Sequence, residues 1–289
     1  MRLLLLTGLF ISFLSACARG YVPPPPLPQK TYVGPSYSEA EEERAKKAFE
    51  EITAIIPHGR TMEQNIEMMR KVYGKIAESG KPICADVNAL HDGCKWLIVE
   101  VKENQTVNIY PSGIRNININ EGAFSLIDNE DEMAYALSHQ MGHLLARHIE
   151  NQAETSLNTV KTIDFVTRVW AGVFIPGGPF INQTGQRNYP QNPILHENVT
   201  ADFDSTEDYE ADYIAAYLMA KAGYDIEKGS EFLVKAAKNI AATGTDDKKA
   251  ANYFDIHAFQ IFRLAQIYAA STEVKKAQEN GKPLMPIGD

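Results

Sequence analysis

Basic residues, cysteines and long apolar runs are all scarce in this sequence. Among 289 residues, 28 Lys and Arg stand against 37 Asp and Glu, a net charge of −9. A general electrostatic attraction to nucleic acid or anionic lipid therefore has no basis, although a local basic patch stays open. Only three cysteines occur, Cys17, Cys84 and Cys94. No apolar run reaches the roughly 20 residues that cross a bilayer. The N-terminal run ends by Leu14, and the stretch from Val160 to Ile175 is interrupted by Lys161, Asp164 and Arg168 before Pro176-Gly177-Gly178-Pro179. That stretch reads as a buried or substrate-facing helix. No internal repeat is evident. Apolar residues make up 44% of the chain, enough for a continuous core, which excludes disorder as the overall state.

Residues 1–16 combine Arg2, an apolar middle and small residues before a break, the pattern of a secretory signal peptide. The break, Leu14-Ser15-Ala16-Cys17, resembles a bacterial lipobox, which implies that Cys17 carries lipid and becomes the mature first residue. The alternative is a plain thiol inside an ordinary signal peptide. Ala18, where an Asp would suggest inner-membrane retention, makes the periplasmic face of the outer membrane the expected location. Residues 17–38 carry Pro23, Pro24, Pro25, Pro26 and Pro28 and read as an extended tether. Residues 39–289 read as one domain. In an exported chain Cys84 and Cys94 are candidates for a disulfide worth about 2–3 kcal/mol by loop closure. Two independently buried thiols are the alternative. Asp86 and His91 between them form no recognisable metal-ligand spacing.

Amphipathic helices are predicted from Ser38 to about Ile56 and from Thr61 to Ser79, the second stopped by Gly80. Strand patterns follow at residues 96–101, 107–110 and 114–120, the only sheet-forming region. Helix returns near Asn129 and runs to roughly Thr155. A helix capped by Ser205 ends at Gly223, and further helices fit Ile226 to Thr243 and Ala250 to about Asn280. Phe180 to Asp204, rich in Asn, Gln and Pro, reads as a long irregular connection of the kind that covers sites.

His139-Gln140-Met141-Gly142-His143 lies within the helix that starts near Asn129. Two histidines four residues apart project from one helical face, so both rings can reach one tetrahedral metal ion. Such a pair alone is often incidental.

Its surroundings are more specific. The run from Asn129 to His148 reads N-E-D-E-M-A, then H-Q-M-G-H, then L-L-A-R-H. It resembles the CAAX-prenyl-endopeptidase and HtpX-like zinc metallopeptidases, gluzincin-type enzymes whose helix reads N-E-D-E-L-A, H-E-x-x-H, L-A-R-H. Asp208-Tyr209-Glu210-Ala211-Asp212 resembles the family's E-x-E-A-D segment. His257 and Arg263 match a third segment, in which Ala258 stands where the family has Pro. The resemblance spans residues 107–263. It implies an α+β fold, mostly helical and zincin-like, with a small three-stranded sheet beside the metal-binding helix. It also implies one Zn2+ per chain held by His139, His143 and Asp208.

Two departures fall on the chemistry. In the family the Glu of H-E-x-x-H takes a proton from the attacking water and delivers it to the leaving amine. This chain has Gln140 there, and an amide cannot take that proton near neutral pH. Losing a general base costs about 10²–10⁴ in rate. The other departure is Asp208, one methylene shorter than the family's Glu. With Ser205 as N-cap, Asp208 also suits an N3 capping position, which leaves Glu207 as a fallback ligand. Asp212, one turn on, suits orienting a ligand imidazole through its other nitrogen. His148 reads as a helix-terminus or surface residue.

The resemblance places His257 and Arg263 near the substrate carbonyl, where they could stabilise an oxyanion; a core-packed role for His257 stays open. Residues 114–120 correspond to the edge strand on which the family lays extended substrate, with Asn116, Asn118 and Asn120 on one side and Ile117 and Ile119 on the other. The expected function is an envelope lipoprotein that binds zinc and unfolded or extended polypeptide with little or no hydrolysis. The alternatives are an active endopeptidase that degrades misfolded envelope proteins and a structural lipoprotein without catalytic zinc.

Overall fold

Each of the first helices starts where a side chain satisfies its free amides. In α1 (Glu39–Glu51), Ser38 and Glu41 close a capping box, and in α2 (Met62–Ser79) Thr61 and Gln64 do the same. Gly80 ends α2 and the chain re-enters helix at once as α3 (Lys81–Val87), a short element that the periodicity does not disclose. The computed structural model describes residues 30–52, 59–87, 94, 97–112, 115–152, 203–243 and 261–288. The signal peptide, Cys17, the proline run, Val160 to Ile175, nearly all of Phe180 to Asp204, and His257 lie outside them.

The sheet consists of β1 (Ile98–Lys102), β2 (Ile109–Ser112) and β3 (Asn116–Asn120), in the order β1-β3-β2. β3 pairs parallel with β1, Val99 opposite Ile117, and antiparallel with β2, Ile109 opposite Ile119. The strand expected at the edge is therefore central, with its backbone paired on both sides, and the edges are β1 and β2. Its alternation does not separate core from water either. Asn118 and Asn120 are as buried as Ile117 and Ile119, and Asn120 Nδ2 donates to Thr106 Oγ1 at 2.7 Å.

After a 3-10 turn (Glu121–Ser125), Asn129 caps α4 (Glu130–Leu145) by accepting from the amides of Asp131 and Glu132 at 3.0 and 3.1 Å. α4 is buried on every face from Glu132 to Leu145, as expected of a helix at the centre of a fold. α5 (Ser205–Lys221), α6 (Ile226–Thr243), α2 and the sheet surround it, while α7 (Ile261–Glu279) packs on α1 and α5. The architecture is α+β, mostly helical with one small sheet beside α4. Among the described residues no helix is long and apolar enough to cross a membrane.

The N-terminal boundary differs from the sequence reading. Residues 30–38, assigned there to the tether, lie on the folded body, and Tyr32 is 1% exposed within the main core. Cys84 and Cys94 form a disulfide with a Cα–Cα distance of 5.4 Å. It ties α3 to the approach of β1.

Candidate metal centre

His139 and His143, one turn apart on α4, are completely buried with their Nε2 atoms 3.1 Å apart. Asp208 of α5 reaches in from the facing helix, and its Oδ1 lies 3.4 Å from His139 Nε2 and 3.3 Å from His143 Nε2. These three donors form a triangle with edges of 3.1–3.4 Å. Tetrahedral zinc at 2.0–2.1 Å from each ligand needs ligand atoms about 3.3 Å apart. The donor set, two imidazoles and a carboxylate, thus fits such an ion in chemistry and spacing, and it is the only such His, Cys, Asp and Glu cluster among the described residues.

The local structure explains how Asp208 comes to be there. The N-cap of α5 is Asp204, not Ser205, and Glu207 is its N3 partner. Asp204 Oδ1 accepts from the amides of Thr206 and Glu207, while Glu207 Oε2 accepts from the Asp204 amide at 3.2 Å and from Gln152 Nε2 at 3.0 Å. The capping position is therefore filled by Glu207, whose carboxylate is engaged there and with Gln152 and takes no part in the donor cluster. Asp208, one residue further, faces them.

Both imidazoles are held from behind. Asp212 Oδ1 accepts from His139 Nδ1 at 2.8 Å and from Tyr135 Oη at 2.6 Å, and its Oδ2 accepts from Arg263 Nε at 2.6 Å. Burial alone would raise the Asp212 carboxyl, but the Arg263 guanidinium and His139 hold it below its ordinary value. Arg263 Nη1 also lies 3.4 Å from Asp208 Oδ2. The guanidinium is 1% exposed, and Arg263 braces the two carboxylates. With neutral histidines, two carboxylates face one guanidinium and the excess negative charge favours a divalent cation.

His143 is oriented by residues that the sequence reading missed. α4 ends at Leu145 with Ala146 as its C-cap, and Arg147 takes a left-handed backbone with φ of 60° before helix resumes over 148–152. The sequence reading expects one continuous helix to about Thr155. On that helix His148 would lie about 140° around the axis from His143. The break instead turns His148 back under it, with its Nδ1 2.9 Å from His143 Nδ1. His148 is buried, not a surface residue, and its Nε2 lies 3.1 Å from Glu210 Oε2. Phe203 stacks on a face of the His143 ring with centroids 3.6 Å apart. Tyr135, four residues before His139, was legible by its spacing. His148 closes the L-L-A-R-H run, but its place behind His143 depends on a backbone break that helical period does not show, and Phe203, which precedes α5, carries no local signal.

Gln140 is completely buried between the two histidines in sequence. The sequence model of peptidase family M48 matches residues 71–271, which include the sheet, both histidines, Asp208, Asp212 and Arg263. No curated protein matches the chain.

Proposed function

The chain belongs to peptidase family M48, and from that premise we propose a zinc-holding, polypeptide-binding envelope lipoprotein of the CAAX-prenyl-endopeptidase and HtpX-like kind, with little or no hydrolysis. One observation carries the reading. A donor triangle of tetrahedral spacing is retained, yet the residue beside His139 is the amide Gln140.

His139, His143 and Asp208 would hold the ion, while Asp212 and His148 keep the two imidazoles oriented. Bound zinc supplies a Lewis acid that polarises a peptide carbonyl and activates water. Gln140 can donate and accept hydrogen bonds, so it can position a water molecule or a carbonyl. It cannot carry a proton from the attacking water to the leaving amine. Turnover should therefore fall by about 10²–10⁴ while metal and peptide binding persist. The lipobox at Cys17 and the proline-rich segment support attachment to the periplasmic face of the outer membrane, where the occupants of the cleft would be unfolded or extended polypeptides.

Purified mature protein is expected to contain one zinc per chain and to lose it in His139→Ala. Cleavage of an unfolded envelope protein is expected to be near background for the natural chain and to rise by about 10²–10⁴ in Gln140→Glu. A natural chain that already cuts, at a rate the substitution leaves unchanged, overturns this reading in favour of an active endopeptidase. A folded chain free of transition metal overturns it in favour of a structural role.

A further inference from the structure

The N-terminal strap reaches the metal centre through a continuous line of hydrogen bonds. The main-chain N–H of Tyr32 donates to Glu210 Oε1 at 2.7 Å. Glu210 Oε2 lies 3.1 Å from His148 Nε2, and His148 Nδ1 lies 2.9 Å from His143 Nδ1. The proton positions follow from the ends of this line. A metal takes the lone pair of His143 Nε2, so the proton of that ring is on Nδ1 and is donated to His148 Nδ1. His148 then carries its own proton on Nε2 and donates it to Glu210. Every link has one donor and one acceptor, and Glu210 receives one hydrogen bond from the strap and one from the site.

The strap is seated independently. The Tyr32 ring is buried and its hydroxyl donates to Asp86 Oδ2 at 3.1 Å. Gly34 runs so close to α5 that a β-carbon there would lie 3.1 Å from the Tyr213 ring. Gln266 of α7 donates to the Pro35 carbonyl.

We propose that Tyr32, Glu210 and His148 form a positioning chain that sets the metal affinity of His143 and makes it depend on the seating of residues 30–38. This inference rests on the proposed zinc site. A glutamate side chain has three rotatable bonds, and the strap amide removes much of that freedom. A strap lifted from α5 leaves Glu210 free to turn from His148, and the imidazole that aims the His143 lone pair loses its support. The segment read as a tether thus bears on the centre through its last residues.

The test measures zinc affinity of the full chain by competition with a chromophoric chelator, and records the visible spectrum of the Co2+-loaded protein. Glu210→Ala is expected to lower zinc affinity about 10–100-fold. Tyr32→Pro removes the strap N–H, and Tyr32→Ala removes the ring but keeps the N–H. Tyr32→Pro is expected to weaken zinc more than Tyr32→Ala and to shift the cobalt spectrum. It is expected to have no added effect once Glu210 is Ala, because both changes break one chain. Natural affinity in Glu210→Ala, or additive effects of Glu210→Ala and Tyr32→Pro, overturns the proposal while leaving the zinc site in place. If Glu210→Ala does not fold, His148→Gln is measured in its place, with natural affinity and an unchanged spectrum again overturning the proposal. A natural chain that takes up no zinc overturns this inference together with the function it rests on.

Discussion

Gly142 faces Ala211 so closely that a β-carbon on the glycine would lie 2.5 Å from the Ala211 carbonyl oxygen and 2.8 Å from its Cα. Gly142 immediately precedes His143, and Ala211 lies three residues after Asp208 on α5, so this contact fixes the separation at which α4 and α5 bring their donors together. The obstructing atoms are backbone and cannot swing aside.

Gly142→Ala is therefore expected to push α5 away from α4. Overpacking of this kind costs about 1–3 kcal/mol, occasionally more. Chemical denaturation should show the loss of stability, and zinc content should fall below one per chain even in the fraction that stays folded. A variant with natural stability and full zinc would show that the helices are not set by this contact.

Asp212 gathers donors from His139, Tyr135 and Arg263 on one carboxylate. Asp212→Asn presents an amide group to that all-donor surface. Removing one partner of a buried ion pair costs about 3–5 kcal/mol, and zinc affinity should drop about 10–100-fold as His139 loses its orientation. Urea unfolding and metal competition check the two effects separately.

The Cys84–Cys94 bond closes a loop with a sequence separation of 10. Loop-closure entropy makes its removal by the double Ser variant cost about 2–3 kcal/mol. Unfolding measured with and without reductant should show a lower midpoint for the reduced natural chain and no effect of reductant on the variant.

Glu227 links three elements, accepting from Arg44 of α1 and from Ser271 and Lys275 of α7. Burial pulls its carboxyl upward, but these partners hold it below its ordinary value. The unfolded chain therefore binds a proton at this position before the folded chain does. Its stabilising contribution is fully present above the ordinary Glu value of about 4.3 and is lost as pH falls through the depressed folded value. Glu227→Gln should lower stability near neutral pH and flatten the acid side of the stability curve. A parallel, unflattened curve would show that the carboxyl titrates normally.

Helix boundaries were largely legible where the signal is local. Thr61 and Asn129 cap the helices that their positions announce, and Gly223, with φ of 72°, ends α5 as a glycine with a left-handed backbone can. The centre of the sheet was not legible, because a run of alternating Asn and Ile gives the strand its period but says nothing of how many neighbours pair with it. By sequence Asp208 fits two roles, metal ligand and helix cap. Only the cap formed by Asp204 and Glu207 separates them.

The sequence by itself determined the paired histidines at helical spacing, the amide side chain of Gln140 between them, and the family, since each is a matter of residue identity and local period. The tertiary structure decided that Asp208 and not Glu207 meets the histidines, that Arg263 braces the carboxylates, and that His148 and the Tyr32 amide stand behind His143. Those outcomes depend on how closely α4 and α5 approach at Gly142 and on the left-handed turn at Arg147. Both join residues distant in the chain or reverse its direction, and helical periodicity carries no information about either.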